Sequence, residues 1–309
     1  PLVYALCCPL VKSGVSVYWA FKLVILLFVA IGGWGAYRWL RSVHREIPPW
    51  LGPVLLLGGP IIPMYVFCIF NVQNFCAILL LPWVLLYWSE GRSVFRPVLA
   101  CAAVLGIMGF THLPATLMTG YALLVLAVLE CWQTRSIKAV LRLALVCLLA
   151  AGIFAPYAIP ALLATSECHF EVLNEFVPWN RTDFFDDPVT NADPVFEAIR
   201  KAFALIAWLT LLFGAVGIIF SRAGFPGFDR VALPFVTALL LGLLTFRFSI
   251  PAWKILPGIR ILQFPYRWVF PMYILLIPAM ASVFATGPSR SRGKMAIGAV
   301  FLLLLFLLS

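Results

Sequence analysis

Between Arg247 and Trp268 the chain reads Arg-Phe-Ser-Ile-Pro-Ala-Trp-Lys-Ile-Leu-Pro-Gly-Ile-Arg-Ile-Leu-Gln-Phe-Pro-Tyr-Arg-Trp. Within stretch 250–267 three cations, Lys254, Arg260 and Arg267, interleave with apolar and aromatic residues, and no acid is present. Indeed no Asp or Glu follows Asp229 anywhere in the chain. A guanidinium presents a planar fork that matches phosphate oxygens. The chemistry this spacing suits is therefore capture of a phosphate or diphosphate lipid head. Pro251, Pro257 and Pro265 prevent one continuous helix, and the aromatic–cation alternation suits a segment lying in the headgroup layer. Ordinary anchoring to anionic lipid is the plainer reading of the same residues.

Other residues carry weaker chemical signals. His112, in Thr-His-Leu-Pro, sits where two helices meet. It either bonds a free backbone carbonyl at a helix end or faces a cavity as a donor to phosphate or a sugar hydroxyl. Lys22 and Arg247 fall one or two turns inside their helices. Each either snorkels to the headgroups or contacts an anionic lipid head from within. Stretch 164–201 holds eight of the chain's 12 acids, with Asp183, Asp186 and Asp187 clustered. Hard divalent cations take such oxygen ligands, although a solvated loop tolerates acids equally well. Eight cysteines lack metal or redox spacing and read as small apolar filler. Asn180-Arg-Thr182 is a glycosylation sequon, a tripeptide that chance supplies often.

The elements that must position these residues follow from composition. Of 309 residues, 63% are hydrophobic and 11% charged, with a mean hydropathy of +1.03. Soluble domains carry about 25% charged residues, so a single water-soluble core is excluded, as are disorder and coiled coil. The chain reads as an all-α polytopic bundle forming one transmembrane domain over 1–309. Apolar runs at about 16–40, 50–70, 73–89, 96–111, 114–132, 142–163, 202–221, 231–249, 268–286 and 295–309 make roughly ten spans.

Basic loops alternate with other turns along this map. Thirteen of the 22 basic residues lie in the loops around Arg38–Arg45, Arg92–Arg96, Arg135–Arg142, Arg222–Arg230 and Arg290–Lys294. The positive-inside rule places these in the cytoplasm. Residues 1–14, the Asn71 and His112 turns, the acidic loop 164–201 and the basic aromatic loop 250–267 then fall outside. This accounts for most of the net charge of +10, and nucleic acid is not implied. Asp193-Pro194 looks like an N-cap with proline at the first helical position. It predicts a short amphipathic helix running into the next span. Helix 16–40 runs inward, so an upstream span and the remainder of a first outer loop are expected before Pro1.

The segment Trp253-Lys-Ile-Leu-Pro257, followed by Gln263-Phe264-Pro265-Tyr266-Arg267-Trp, resembles a W-x-x-L-P…Q-F-P-W-R-F pattern. That pattern belongs to bacterial membrane proteins labelled "6-pyruvoyl-tetrahydropterin synthase-related", which are thought to be GT-C-type glycosyltransferases. Tyr266 replaces the commoner Trp. Pro1-Leu-Val-Tyr-Ala-Leu resembles the end of their first outer loop, His112 a His at a helix mouth, and Tyr157-Ala-Ile-Pro160-Ala-Leu the entry to their large outer loop.

The resemblance implies a GT-C-like fold in a bacterial inner membrane and a polyprenyl-phosphate-linked sugar donor used at the outer face. An acid of the first outer loop, expected upstream of Pro1, would be the base, in some members with magnesium or manganese. Lys254, Arg260 and Arg267, with Lys22 and His112, would bind the donor phosphate. Glycosyl transfer needs a carboxylate to take the acceptor proton and positive charge for the leaving phosphate. Two alternatives stand beside this. One is a non-catalytic GT-C-like subunit that binds a membrane-protein complex. The other is a lipid or solute transporter, against which the lack of midplane charge and repeat symmetry counts.

Overall fold

The computed structural model describes residues 2–43, 47–59, 71–92, 94–163, 194–222, 228–245, 247–258 and 265–284. Every regular element among them is helical. In order these are α1 (Leu2–Lys12), α2 (Val17–Val43), α3 (Leu51–Gly58), α4 (Val72–Ile78), α5 (Leu81–Glu90), α6 (Phe95–Thr111) and α7 (Leu113–Thr134). They are followed by α8 (Lys138–Leu163), α9 (Pro194–Arg222), α10 (Phe228–Gly242), α11 (Ile250–Ile255) and α12 (Val269–Ser282). Three 3₁₀ turns, Leu243–Thr245, Arg247–Ser249 and Pro265–Trp268, bracket α11.

Among the described residues four stretches are long and apolar enough to cross a bilayer: Val17–Val43, Val72–Glu90, Leu113–Thr134 and Lys138–Ala161. Five shorter apolar helices accompany them. Large apolar side chains such as Leu26, Leu148, Leu212 and Ile219 point outward from the bundle. In water such a surface would be costly. In hydrocarbon it is the ordinary exterior of a helix bundle.

Several expected spans differ in detail. Stretch 73–89 is broken at Leu79–Leu80, because Pro82 has no N–H to donate to the Ile78 carbonyl and its ring crowds that carbonyl. Stretch 231–249 stops being α-helical at Gly242 and tightens into 3₁₀ turns, where the Thr245 hydroxyl donates to the Gly242 carbonyl at 2.6 Å. The helix expected from Pro194 is present and runs without a break through Arg222. Of stretch 50–70 the described part is α3. Stretch 295–309 lies outside the described residues, as does most of 164–201.

One helix sits at the centre. Every residue of α12 is buried, and α12 packs against α9, α10 and α3. A helix that is apolar all round must find neighbours all round. Polar bonds pin it at two levels. Tyr273 donates its hydroxyl to the Leu55 carbonyl at 2.6 Å, and Ser282 donates to the Gly217 carbonyl at 2.9 Å. Gly217 is needed there: a side chain would run into the Ala279 carbonyl of α12. The residues just before α12 are thus fixed to the most constrained element of the fold.

Candidate functional site

His112 is the single residue linking α6 to α7. Its backbone is extended, and its N–H closes α6 onto the Met108 carbonyl at 2.7 Å. The side chain then caps α7, with Nδ1 accepting from the Ala115 amide at 3.3 Å. The sequence offered a bond to a free carbonyl; the structure has the imidazole accepting a free helix-start N–H instead. Burial, and then the positive charge of Arg267, push this imidazole down to about 3. The ring is therefore neutral in the physiological range. With Nδ1 accepting, its proton resides on Nε2, which is left as a donor.

Arg267 is only 7% exposed, and its charge is felt at His112. Of the described part of stretch 250–267, Trp253 and Arg267 are buried in the bundle, while Pro251, Ile255 and Pro257 are exposed. Trp253 is buried and donates its indole N–H to the Leu244 carbonyl at 3.0 Å. Trp268, at the head of α12, is fully buried, and its ring meets that of Tyr121 edge-on with centroids 6.0 Å apart. Tyr121 in turn donates its hydroxyl to the Pro257 carbonyl at 2.7 Å. Gly258 follows with φ +72°, a left-handed conformation that glycine adopts without strain. Tyr121 thus ties both ends of the last loop to α7.

Tyr121 went unnoticed in the sequence, although a phenol inside an apolar run has to find an acceptor. Lys22 stands apart from this group. It is exposed on α2, with its ammonium over the rings of Tyr18 (4.2 Å) and Trp19 (5.3 Å), the arrangement of a cation held among interfacial aromatics. Lys254 lies on α11 and Pro265 and Tyr266 on the 3₁₀ turn before α12. Arg260, Gln263 and Phe264 lie outside the described residues, as do Asp183, Asp186 and Asp187. Among the described residues no three His, Cys, Asp or Glu side chains gather to hold a metal.

The opposite end of the bundle carries a second polar group, which the sequence reading passed over. Glu130, at the end of α7, is buried and joined to Arg92 at 2.7 Å and Arg142 at 2.5 Å. Trp88 donates its indole N–H to the same carboxylate at 3.2 Å, and the Arg142 guanidinium stacks 3.8 Å above the Trp88 ring. Nearby, Arg230 donates to the Ser42 carbonyl at 3.0 Å. Arginines from three of the basic loops thus meet at one end, opposite His112.

Residues 1–309 match the family model described as "6-pyruvoyl-tetrahydropterin synthase related domain; membrane protein". No curated protein and no solved structure gives a significant match.

Proposed function

The chain belongs to the 6-pyruvoyl-tetrahydropterin synthase related family of membrane proteins, and from that premise we propose that it is a GT-C-like glycosyltransferase using a polyprenyl-phosphate-linked sugar. The observation that carries the proposal is a buried arginine, Arg267, at the head of α12, near enough to His112 at the start of α7 for its charge to act on that imidazole. The positive-inside rule makes that end the outer face of a bacterial inner membrane, because the basic loops collect at the other.

In this reading Arg267 binds the donor phosphate through its fork, and the His112 Nε2–H donates to a phosphate oxygen or a sugar hydroxyl. Lys254 and Arg260, in the same loop, add positive charge. As the sugar–phosphate C–O bond breaks, the leaving phosphate gains negative charge, which fixed cations in a dry site stabilise most strongly. The acceptor hydroxyl forms the new bond to the sugar carbon and gives its proton to a carboxylate. That base is not assigned to any described residue.

Arg267→Lys tests the reading, since it keeps the charge and loses the bidentate fork. Binding of undecaprenyl phosphate to the purified chain should weaken by about tenfold or more, on the order of 1.4 kcal/mol, with thermal stability near wild type. Wild-type binding in Arg267→Lys would return the loop to the role of anchor or scaffold.

A further inference from the structure

Helices α6, α7 and α8 leave an open lane of about 460 Å³ between them, with Pro257 on its wall beside Tyr121. Along α7 it is bordered by Thr116, Gly120 and Leu124, four residues apart and so stacked on one face. At 1.5 Å per residue this is a lane about 12 Å long. Its two hydroxyls are both occupied: Thr116 donates to the His112 carbonyl at 3.2 Å, and Tyr121 to the Pro257 carbonyl at 2.7 Å. The remaining wall is almost wholly apolar, and Leu124 is exposed at its edge. In a bilayer such a space is filled by hydrocarbon and not by water.

Gly120 makes the room. A side chain built there would meet no atom within 4 Å, so no packing neighbour requires glycine at this position. Glycine is also a poor helix former. Two of the residues that line the lane adjoin the polar group at the start of α7. Thr116 lies one turn below His112, and Tyr121 touches Trp268, the residue after Arg267. A cation and a neutral N–H donor therefore adjoin an apolar groove, the arrangement complementary to an anionic head on a hydrocarbon tail.

We propose that this lane holds the isoprenoid tail of the lipid phosphate whose head lies against Arg267 and His112. The proposal rests on the donor reading above and adds where the tail runs and what limits it. A single lane beside a single head site suits a one-chain lipid. A diacyl lipid would bring two chains to the same head.

The test uses the full chain in lipid nanodiscs, with undecaprenyl phosphate, its short homologue geranyl phosphate and dioleoylphosphatidylglycerol as probes. Gly120→Leu fills the slot with a better helix former. It should fold at least as well as wild type, with Gly120→Ala as the control. Undecaprenyl phosphate should bind the Leu variant about tenfold more weakly or worse, while geranyl phosphate binds both proteins alike. Equal binding of the long chain to wild type and Gly120→Leu would overturn the lane and leave the head site standing, provided Arg267→Lys still weakens both isoprenoid phosphates. Should the Leu substitution displace dioleoylphosphatidylglycerol as strongly as the isoprenoid, the lane is a bilayer-lipid groove and the proposal fails. The head reading fails separately when Arg267→Lys changes neither isoprenoid phosphate.

Discussion

The two ends of α7 hold charge in opposite ways. At its last turn, Glu130 has one carboxylate oxygen on Arg92 and the other on Arg142, and the Trp88 ring closes the group from the side. Among the described residues both ion pairs belong to this one acid. At its first turn there is an uncharged imidazole that caps the helix and keeps a donor on Nε2, under the influence of the Arg267 charge. The first arrangement ties α5, the α5–α6 connection, α7 and α8 into a fixed base. The second has a donor and a cation beside an apolar lane. In the proposed reading one end holds the bundle together and the other receives a lipid phosphate, and the outcomes below separate the two roles.

The largest effect is expected at the Glu130 end. Glu130→Gln leaves the largely buried Arg142 without its counter-charge. Breaking a buried pair from one side costs about 3–5 kcal/mol, so thermal unfolding of the detergent-solubilised protein should shift sharply downward. Lipid-phosphate affinity per folded molecule should stay the same. Loss of affinity in a fully folded Glu130→Gln protein would erase the distinction between the ends.

A smaller effect is expected from acid at the His112 end. The folded imidazole, at about 3, lies below its ordinary value of 6.5, so protons bind the unfolded chain first. His112 therefore contributes stability that is present above pH 6.5 and is lost as pH falls toward 3, on the order of 1 kcal/mol per pH unit at most. His112→Asn keeps a capping side chain and removes the titration. Unfolding curves between pH 7.5 and 4.5 should be flatter for this variant (buffer values, about one unit apart). An identical pH slope in both proteins would place His112 in contact with water.

The smallest effect is Tyr121→Phe, which removes one hydroxyl–carbonyl bond to Pro257. Such a bond contributes about 0.5–1.5 kcal/mol. Because it steadies the loop over the lane, the variant should lose more in undecaprenyl phosphate binding than in melting temperature. The reverse proportion would make Tyr121 a stability element like Glu130.

Parts of this were open to a reader of the sequence. Apolar runs disclosed the helical membrane class, since a bilayer admits only helices and closed barrels and continuous apolar runs lack the alternation of barrel strands. Asp193-Pro194 marked the start of α9, and the Thr111–Pro114 turn marked the α6–α7 junction. Pro82 carried the signal for the break before α5, which hydropathy averaging passed over. Glu130 and Tyr121 were equally visible as a charge and a hydroxyl in apolar surroundings, each of which needs a partner. The partners of Glu130, Arg142 and Arg92, lie 12 and 38 residues away and that of Tyr121 lies 136 residues away, and no local pattern names them.

What the sequence determined alone is therefore its solvent and its periodicity: a bilayer, helices, and turns where proline or a polar residue interrupts them. Those properties follow from each residue's own transfer energy and backbone preference, which need no neighbour. Tertiary structure alone decided that α12 is the buried centre, that Arg267 is buried at its head where its charge reaches His112, that Lys22 faces outward, and that Gly120 opens a lane. Hydropathy gives the same value to a leucine facing lipid and a leucine facing another helix. Which of two apolar faces is covered, and so which cation is desolvated, is settled only when the helices pack.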